Sequence, residues 1–168
     1  MTEQNAYWFV AKTRHGAELG VRNRLTQLGV ENFVPTRMRH ASRGKGMVEE
    51  PLVTSFVFLR ANKLDALNHI HLYGVKFNLV NDCETHQLMY VSDKCMKDFC
   101  RVLEASIEEG GLVDKPLSVG ERVRVTQGVL KGVEGNVLEL QGRIYVVVGL
   151  LNCLFARARV PRAWLEKI

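Results

Sequence analysis

Polar and apolar residues alternate from Arg122 to Val125, placing Val123 and Val125 on one side of a strand and Arg122 and Arg124 on the other. The polar pair Thr126–Gln127 leads into Gly128, and a second glycine, Gly132, follows Val129, Leu130 and Lys131. The chain is expected to turn there, because glycine accepts positive φ without a steric cost. A second strand is expected from about Gly135 through Val137, Leu138 and Leu140, followed by strands over "RIYVVVGL" and "LFARARV", with Pro161 closing the last one. Short strands and glycine turns over some 50 residues predict a small SH3-like β-barrel.

The first half has a different rhythm. "YWFVAKT", Tyr7 to Thr13, is an aromatic and β-branched run that predicts a buried strand. Leu19, Val21, Leu25 and Leu28 keep imperfect helical phase before a stop at Gly29, and Asn32 to Pro35 returns to strand. "TRMRHASRGKGMVEE" has no hydrophobic period, so Arg43-Gly44-Lys45-Gly46 is expected at the tip of a hairpin or long loop. Within "PLVTSFVFLRA" the pair Phe56 and Phe58 shares one face and Val57 and Leu59 the other, so both faces are apolar. A short helix is expected over Lys63 to Leu72, then strands over "KFNLVND" and "HQLMYV", then a helix capped by Ser92 with a stripe of Met96, Phe99, Leu103 and Ile107. The fold class is therefore α+β: an N-terminal α/β sandwich over residues 1–108, a linker over 109–117 in "EEGGLVDKPLS", and the barrel over 118–168.

Composition changes this picture little, but charge does. The chain has 168 residues, 46% hydrophobic, as a globular protein does. With neither a leader-like start nor an apolar run of bilayer length, a cytoplasmic location and no membrane partner are expected. The net charge of +5 is unevenly spread. Residues 1–48 carry eight Lys/Arg against three acids, residues 49–114 six against eleven, and residues 115–168 nine against four. Two basic blocks thus flank an acidic one, a pattern that suits either a face turned to a polyanion or a solvated surface.

Catalytic chemistry finds little support. There is no phosphate-binding or dinucleotide glycine pattern and no paired-histidine zinc helix. The four cysteines lack metal-binding spacing and are expected to be reduced and mostly packed. Asp93 and Asp98, five apart on the expected helix, do not face each other and read as solvated. The reading is of a monomer that is not an enzyme, with no metal and no cofactor.

Taken in order, an aromatic strand, a helix, a basic hairpin, an apolar strand after "EPL", a terminal helix, a linker and a glycine-marked barrel resemble the NusG family of transcription elongation factors. Gly120, Val123, Val125, Gly128, Gly132, Gly135 and Val137, with Glu121 and Leu130 between them, are similar to that family's KOW motif. "WFVAKTRHG", "VPTR" and "EEPLVTSFVFL" are similar to its N-terminal (NGN) domain, so the resemblance covers nearly the whole chain. Within the family, the chain looks most like the operon-specific antiterminators of the RfaH type, including those of polysaccharide operons. It departs from many relatives in having Thr54–Ser55 where they have Pro-Gly or Pro-Asn.

The resemblance implies a function. The N-terminal domain would dock on the clamp helices of RNA polymerase, with Phe56 and Phe58 at the family's aromatic positions and Trp8 and Val10 beneath them. Arg14, His15 and Arg24 match the face that relatives turn to the non-template DNA of the transcription bubble or to nascent RNA, and Arg43 and Lys45 would approach upstream duplex. The KOW barrel would recruit a ribosomal protein or Rho. Two other readings stand beside this one: a KOW-type RNA-binding or ribosome-associated protein gripping RNA through Arg122, Arg124, Lys131, Arg143, Arg157 and Arg159, and a general housekeeping NusG.

Overall fold

In the computed structural model, residues 5–106, 112–113, 120–150 and 154–168 are described, the side chains of 69–71 and 112–113 excepted. The chain forms two compact units, Met1–Ser92 and Asp93–Ile168. Among the described residues no helix is long and apolar enough to cross a membrane.

The first unit is built on β1 (Tyr7–Lys12), which pairs antiparallel along its whole length with β5 (Phe56–Ala61). β2 (Glu31–Phe33) extends the sheet beyond β5, and two short strands, β6 (Asn78–Leu79) and β7 (Tyr90–Val91), line the other edge of β1. The register puts Phe9 opposite Leu59 and Ala11 opposite Val57, so these four share a face. That face carries the core, where they pack with Val21, Leu25, Val34, Ala66, Val75 and Phe77. Val21 and Leu25 come from α1 (Glu18–Gln27) and Ala66 from α2 (Lys63–His71). Helix α1 ends in a paired cap: Gly29, at φ +74°, donates to Thr26 and Val30 donates to Leu25, which satisfies two orphan carbonyls. Asn62 caps α2 by accepting from the Asp65 N–H.

The segment without a hydrophobic period is a two-stranded ribbon, β3 (Thr36–His40) with β4 (Met47–Pro51), bearing Gly44 and Gly46 at positive φ in its tip. Its cohesion is ionic. Glu50 pairs across the ribbon with Arg37 at 2.6 Å and also with Arg39, while Glu49 forms a two-pronged bridge to Arg22 of α1 at 2.5 and 2.9 Å. Thr36 Oγ1 donates to the same Glu49 carboxylate.

The second unit opens with α3 (Asp93–Ser106) and continues into a six-stranded antiparallel sheet. The strands are β8 (Leu112–Val113), β9 (Arg122–Val125), β10 (Glu134–Leu140), β11 (Arg143–Leu150), β12 (Leu154–Arg159) and β13 (Leu165–Lys167), in the order β13-β9-β10-β11-β12-β8. Strand β9 alternates as its sequence predicts, with Val123 and Val125 buried and Arg122 and Arg124 exposed. The expected end at Pro161 is passed: a single 3-10 turn, Arg162–Trp164, carries the chain into β13, which pairs with β9.

The division into units falls earlier than the linker composition suggests, because α3 lies with the second unit rather than closing the first. Of the expected linker, only Leu112–Val113 are described, as the strand β8 on β12; residues 109–111 and 114–117 lie outside the described residues, as does Ile107 of the expected helical stripe. Polar groups of α3 hold it to the sheet. Arg101 donates to the carbonyls of Val129 and Lys131, and Lys94 to that of Gly132. Asp98, expected to be solvated, is instead 4% exposed, and it accepts from Lys94 Nζ at 2.7 Å and from the Glu134 N–H at 3.2 Å.

Two glycines of the opening stretch have distinct physical jobs. At Gly128, φ is +75° and an added Cβ would lie 2.5 Å from the Trp164 ring; at Gly135 it would lie 2.4 Å from the Val147 carbonyl. The first is needed for a turn under an indole, the second for the close approach of β10 to β11.

Candidate functional surfaces

The apolar residues singled out on β1 and β5 converge. Val10 stands opposite Phe58 and Trp8 opposite Arg60, so Trp8, Val10, Phe56 and Phe58 share the sheet face away from the core. Phe33 of β2 joins them: it is the direct partner of Phe58, with ring centroids 6.3 Å apart. Sequence reading missed Phe33; the signal lay in "NFVP" adjoining the aromatic strand. Trp8, Val10 and Phe58 are packed, at 8%, 2% and 2% exposure, whereas Phe56 and Phe33 are half-buried.

The turn at Thr54–Ser55 presents this strand. Ser55 has φ +70°, a left-handed conformation uncommon for a residue with a side chain. Two bonds hold it there: its N–H donates to Glu18 Oε1 at 2.6 Å, and its carbonyl accepts from the Thr13 N–H at 2.9 Å. Glu18, in the first turn of α1, is 1% exposed. Burial pushes its pKa up, but the N–H groups of Ser55, Glu18 and Gly16, with the charge of His15, outweigh that and hold it below the ordinary value.

The cations sort into two groups. Arg22, Arg37 and Arg39 are committed to Glu49 and Glu50. The Glu49 pKa is lowered to about 2, first by the hydrogen bond from Arg22 and then by that from Thr36. Arg14 and His15, in the turn between β1 and α1, and Arg24 on α1 are exposed, as are Arg43 and Lys45 in the ribbon tip. Among the described residues none of Arg14, Arg24, Arg43 and Lys45 has an ion-pair partner. Arg14 and His15 adjoin one another, Arg24 stands on a separate element, and Arg43 and Lys45 form a third site.

In the second unit, the motif residues Val123 and Val125 are buried and Gly128 and Gly132 turn the chain between β9 and β10. Gly120 donates to the Val137 carbonyl, which ties the two ends of the motif together. Several cations there are engaged: Arg122 and Arg124 share Glu134, and the Arg157 guanidinium lies 5.2 Å from the Tyr145 ring centroid. Lys131, Arg143 and Arg159 remain exposed.

Of the cysteines, expected to be mostly packed, Cys83 is exposed and Cys95 and Cys100 are half-buried on α3, while Cys153 lies outside the described residues. Burial pushes both of these thiols up, Cys100 to about 11, so neither is a ready nucleophile. Among the described residues no group of three or more His, Cys, Asp or Glu is placed to hold a metal ion.

The NusG family, described as transcription termination factor nusG, matches residues 6–99. The chain belongs to the NusG family. Among solved structures it is similar to that of NusG from Thermotoga maritima, titled for its domain interaction, at 20% identity and a TM-score of 0.47, over 98% of each chain. No curated protein matches the chain significantly.

Proposed function

We propose that this protein is a transcription elongation and antitermination factor that docks on the clamp helices of RNA polymerase through its first unit and suppresses pausing and termination. The observation that carries this reading is the family match over residues 6–99, which spans the strands that gather Trp8, Val10, Phe33, Phe56 and Phe58 on one sheet face. Such a face suits a partner helix held by aromatic anchors. Phe56 and Phe33, both half-buried, are more open to a partner than Trp8, Val10 and Phe58. Arg14, His15 and Arg24 would meet non-template DNA or nascent RNA, and the ribbon tip with Arg43 and Lys45 would meet upstream duplex. No bond is made or broken, and the chain needs no cofactor.

The second unit is read as a KOW-type SH3-like barrel whose partner is a ribosomal protein or Rho. Engagement of Arg122, Arg124 and Arg157 within the fold favours this over a barrel that grips RNA. Support for action in the cytoplasm at polysaccharide biosynthesis operons, as an RfaH-type factor, is that residues 8–35 resemble that type without a gap and that "RGKG" before "EEPL" resembles its hairpin. A single-round transcription assay on a template with a strong pause tests the reading. The wild-type chain should shorten the pause and Phe56→Ala should not; a wild-type chain without effect on pausing or termination would overturn it.

A further inference from the structure

Glu18 stands in the first turn of α1, 1% exposed, and among the described residues it forms no salt bridge. Its carboxylate bonds instead to backbone N–H groups, those of Ser55, of Glu18 itself and of Gly16. A carboxylate withdrawn from water is costly to keep unless such bonds replace its hydration. Two of these donors are local; the third, Ser55, lies 37 positions on, immediately before β5. The β1–β5 ladder closes there, at the pair Lys12–Phe56, and the chain leaves it through Ser55 at φ +70°. Phe58 is an interior rung, with Val10 across from it on β1 and Phe33 on β2, whereas Phe56 has a strand partner on one side only. The direction of the Phe56 ring therefore depends on the turn, which is clamped from two sides. Glu18 Oε1 accepts from the Ser55 N–H at 2.6 Å, and the Ser55 carbonyl accepts from the Thr13 N–H at 2.9 Å. Thr13 is itself anchored, because its Oγ1 donates to the Lys76 carbonyl at 3.1 Å.

We infer that Glu18 is a positioning residue for partner binding: it touches no partner itself and holds Ser55 so that Phe56 stands ready as an anchor. This rests on the reading of Phe56 as a contact to RNA polymerase. A half-buried ring fixed before contact spares the ordering that binding would otherwise require, so the clamp raises affinity without adding a contact. Glu18→Gln keeps an acceptor oxygen for the Ser55 N–H and preserves the clamp, whereas Glu18→Ala removes it.

A double-mutant cycle on the full chain tests this, with affinity for core RNA polymerase read by surface plasmon resonance and each variant's fold verified by circular dichroism. Phe56→Ala should weaken binding by about tenfold and Glu18→Ala by about fivefold. The double variant should bind about tenfold weaker than wild type, not about fiftyfold, because Glu18 acts only through the ring. Glu18→Gln should bind within about twofold of wild type. A purely stabilising role would lower urea midpoints without this non-additivity in affinity. If Glu18→Ala does not fold, Glu18→Asp carries the same test: its shorter side chain withdraws the acceptor, so it should weaken binding by about threefold alone and not at all beside Phe56→Ala. A folded Glu18 variant lacking the clamp that binds like wild type, or losses that multiply in the double variant, would overturn the inference and leave the docking reading standing. Wild-type affinity in Phe56→Ala would overturn the docking reading and this inference with it.

Discussion

Ser55 carries a conformational cost that its neighbours absorb. A non-glycine residue in the left-handed region is disfavoured by about 1–2 kcal/mol, and the bonds to Glu18 and Thr13 hold it there. Ser55→Gly keeps both backbone bonds and removes the strain, so it should raise stability by about 1 kcal/mol in urea denaturation, with a loss of stability contradicting the account. Glu18→Ala leaves the half-buried Ser55 N–H without its acceptor and should cost about 1–3 kcal/mol. Linkage gives the sign of the pH effect. Glu18 and Glu49 have folded pKa values below their unfolded values, so their contribution is present above the ordinary carboxylate range near 4.3 and fades as pH falls. For Glu49 the loss runs down to about pH 2, where the folded carboxylate is protonated. Between about pH 5 and pH 2.5, Glu49→Gln should therefore lose less stability than the wild type, as read from urea midpoints. This residue-level detail was hidden in the sequence: Thr54–Ser55 flagged an unusual turn, but nothing in local spacing linked it to a carboxylate 37 positions earlier.

Elements were legible where one face is dry. The strand expected from "RIYVVVGL" is β11, Arg143–Leu150, because a run buried on both sides needs no partner pattern to announce itself. The β3–β4 ribbon was expected only as a hairpin or loop, since it stands in water with Met38, Met47 and Val48 exposed and replaces hydrophobic period with Arg–Glu pairs. β13 went unseen because three residues after a proline carry too little pattern. Asp98 read as solvated because its partners, Lys94 one turn earlier and the N–H of Glu134, become neighbours only when α3 meets the sheet. Asp98→Leu should cost the second unit about 1–3 kcal/mol by leaving the Glu134 N–H unpaired, whereas Asp98→Asn, which keeps an acceptor, should cost less. At the β10–β11 approach, Gly135→Ala forces a methyl against a backbone carbonyl and should cost about 1–3 kcal/mol, read as a lowered thermal midpoint.

At the scale of the molecule, the N-terminal likeness rests on residues that the fold reunites: Trp8, Val10, Phe56 and Phe58 come from two segments far apart in the chain and share one sheet face. That Phe56 and Phe58 share a face was legible in the sequence and the family resemblance set Trp8 and Val10 beneath them; the register made these a single surface with Phe33. The measurement that bears most directly on the account is binding of purified core RNA polymerase to the full chain by surface plasmon resonance, wild type against Phe56→Ala, with the variant's fold verified by circular dichroism. The account predicts saturable binding by the wild type and at least about tenfold weaker binding by the folded variant, as expected for an interface anchor. Equal affinities would contradict the assigned surface, and no binding by the wild type would contradict the account as a whole.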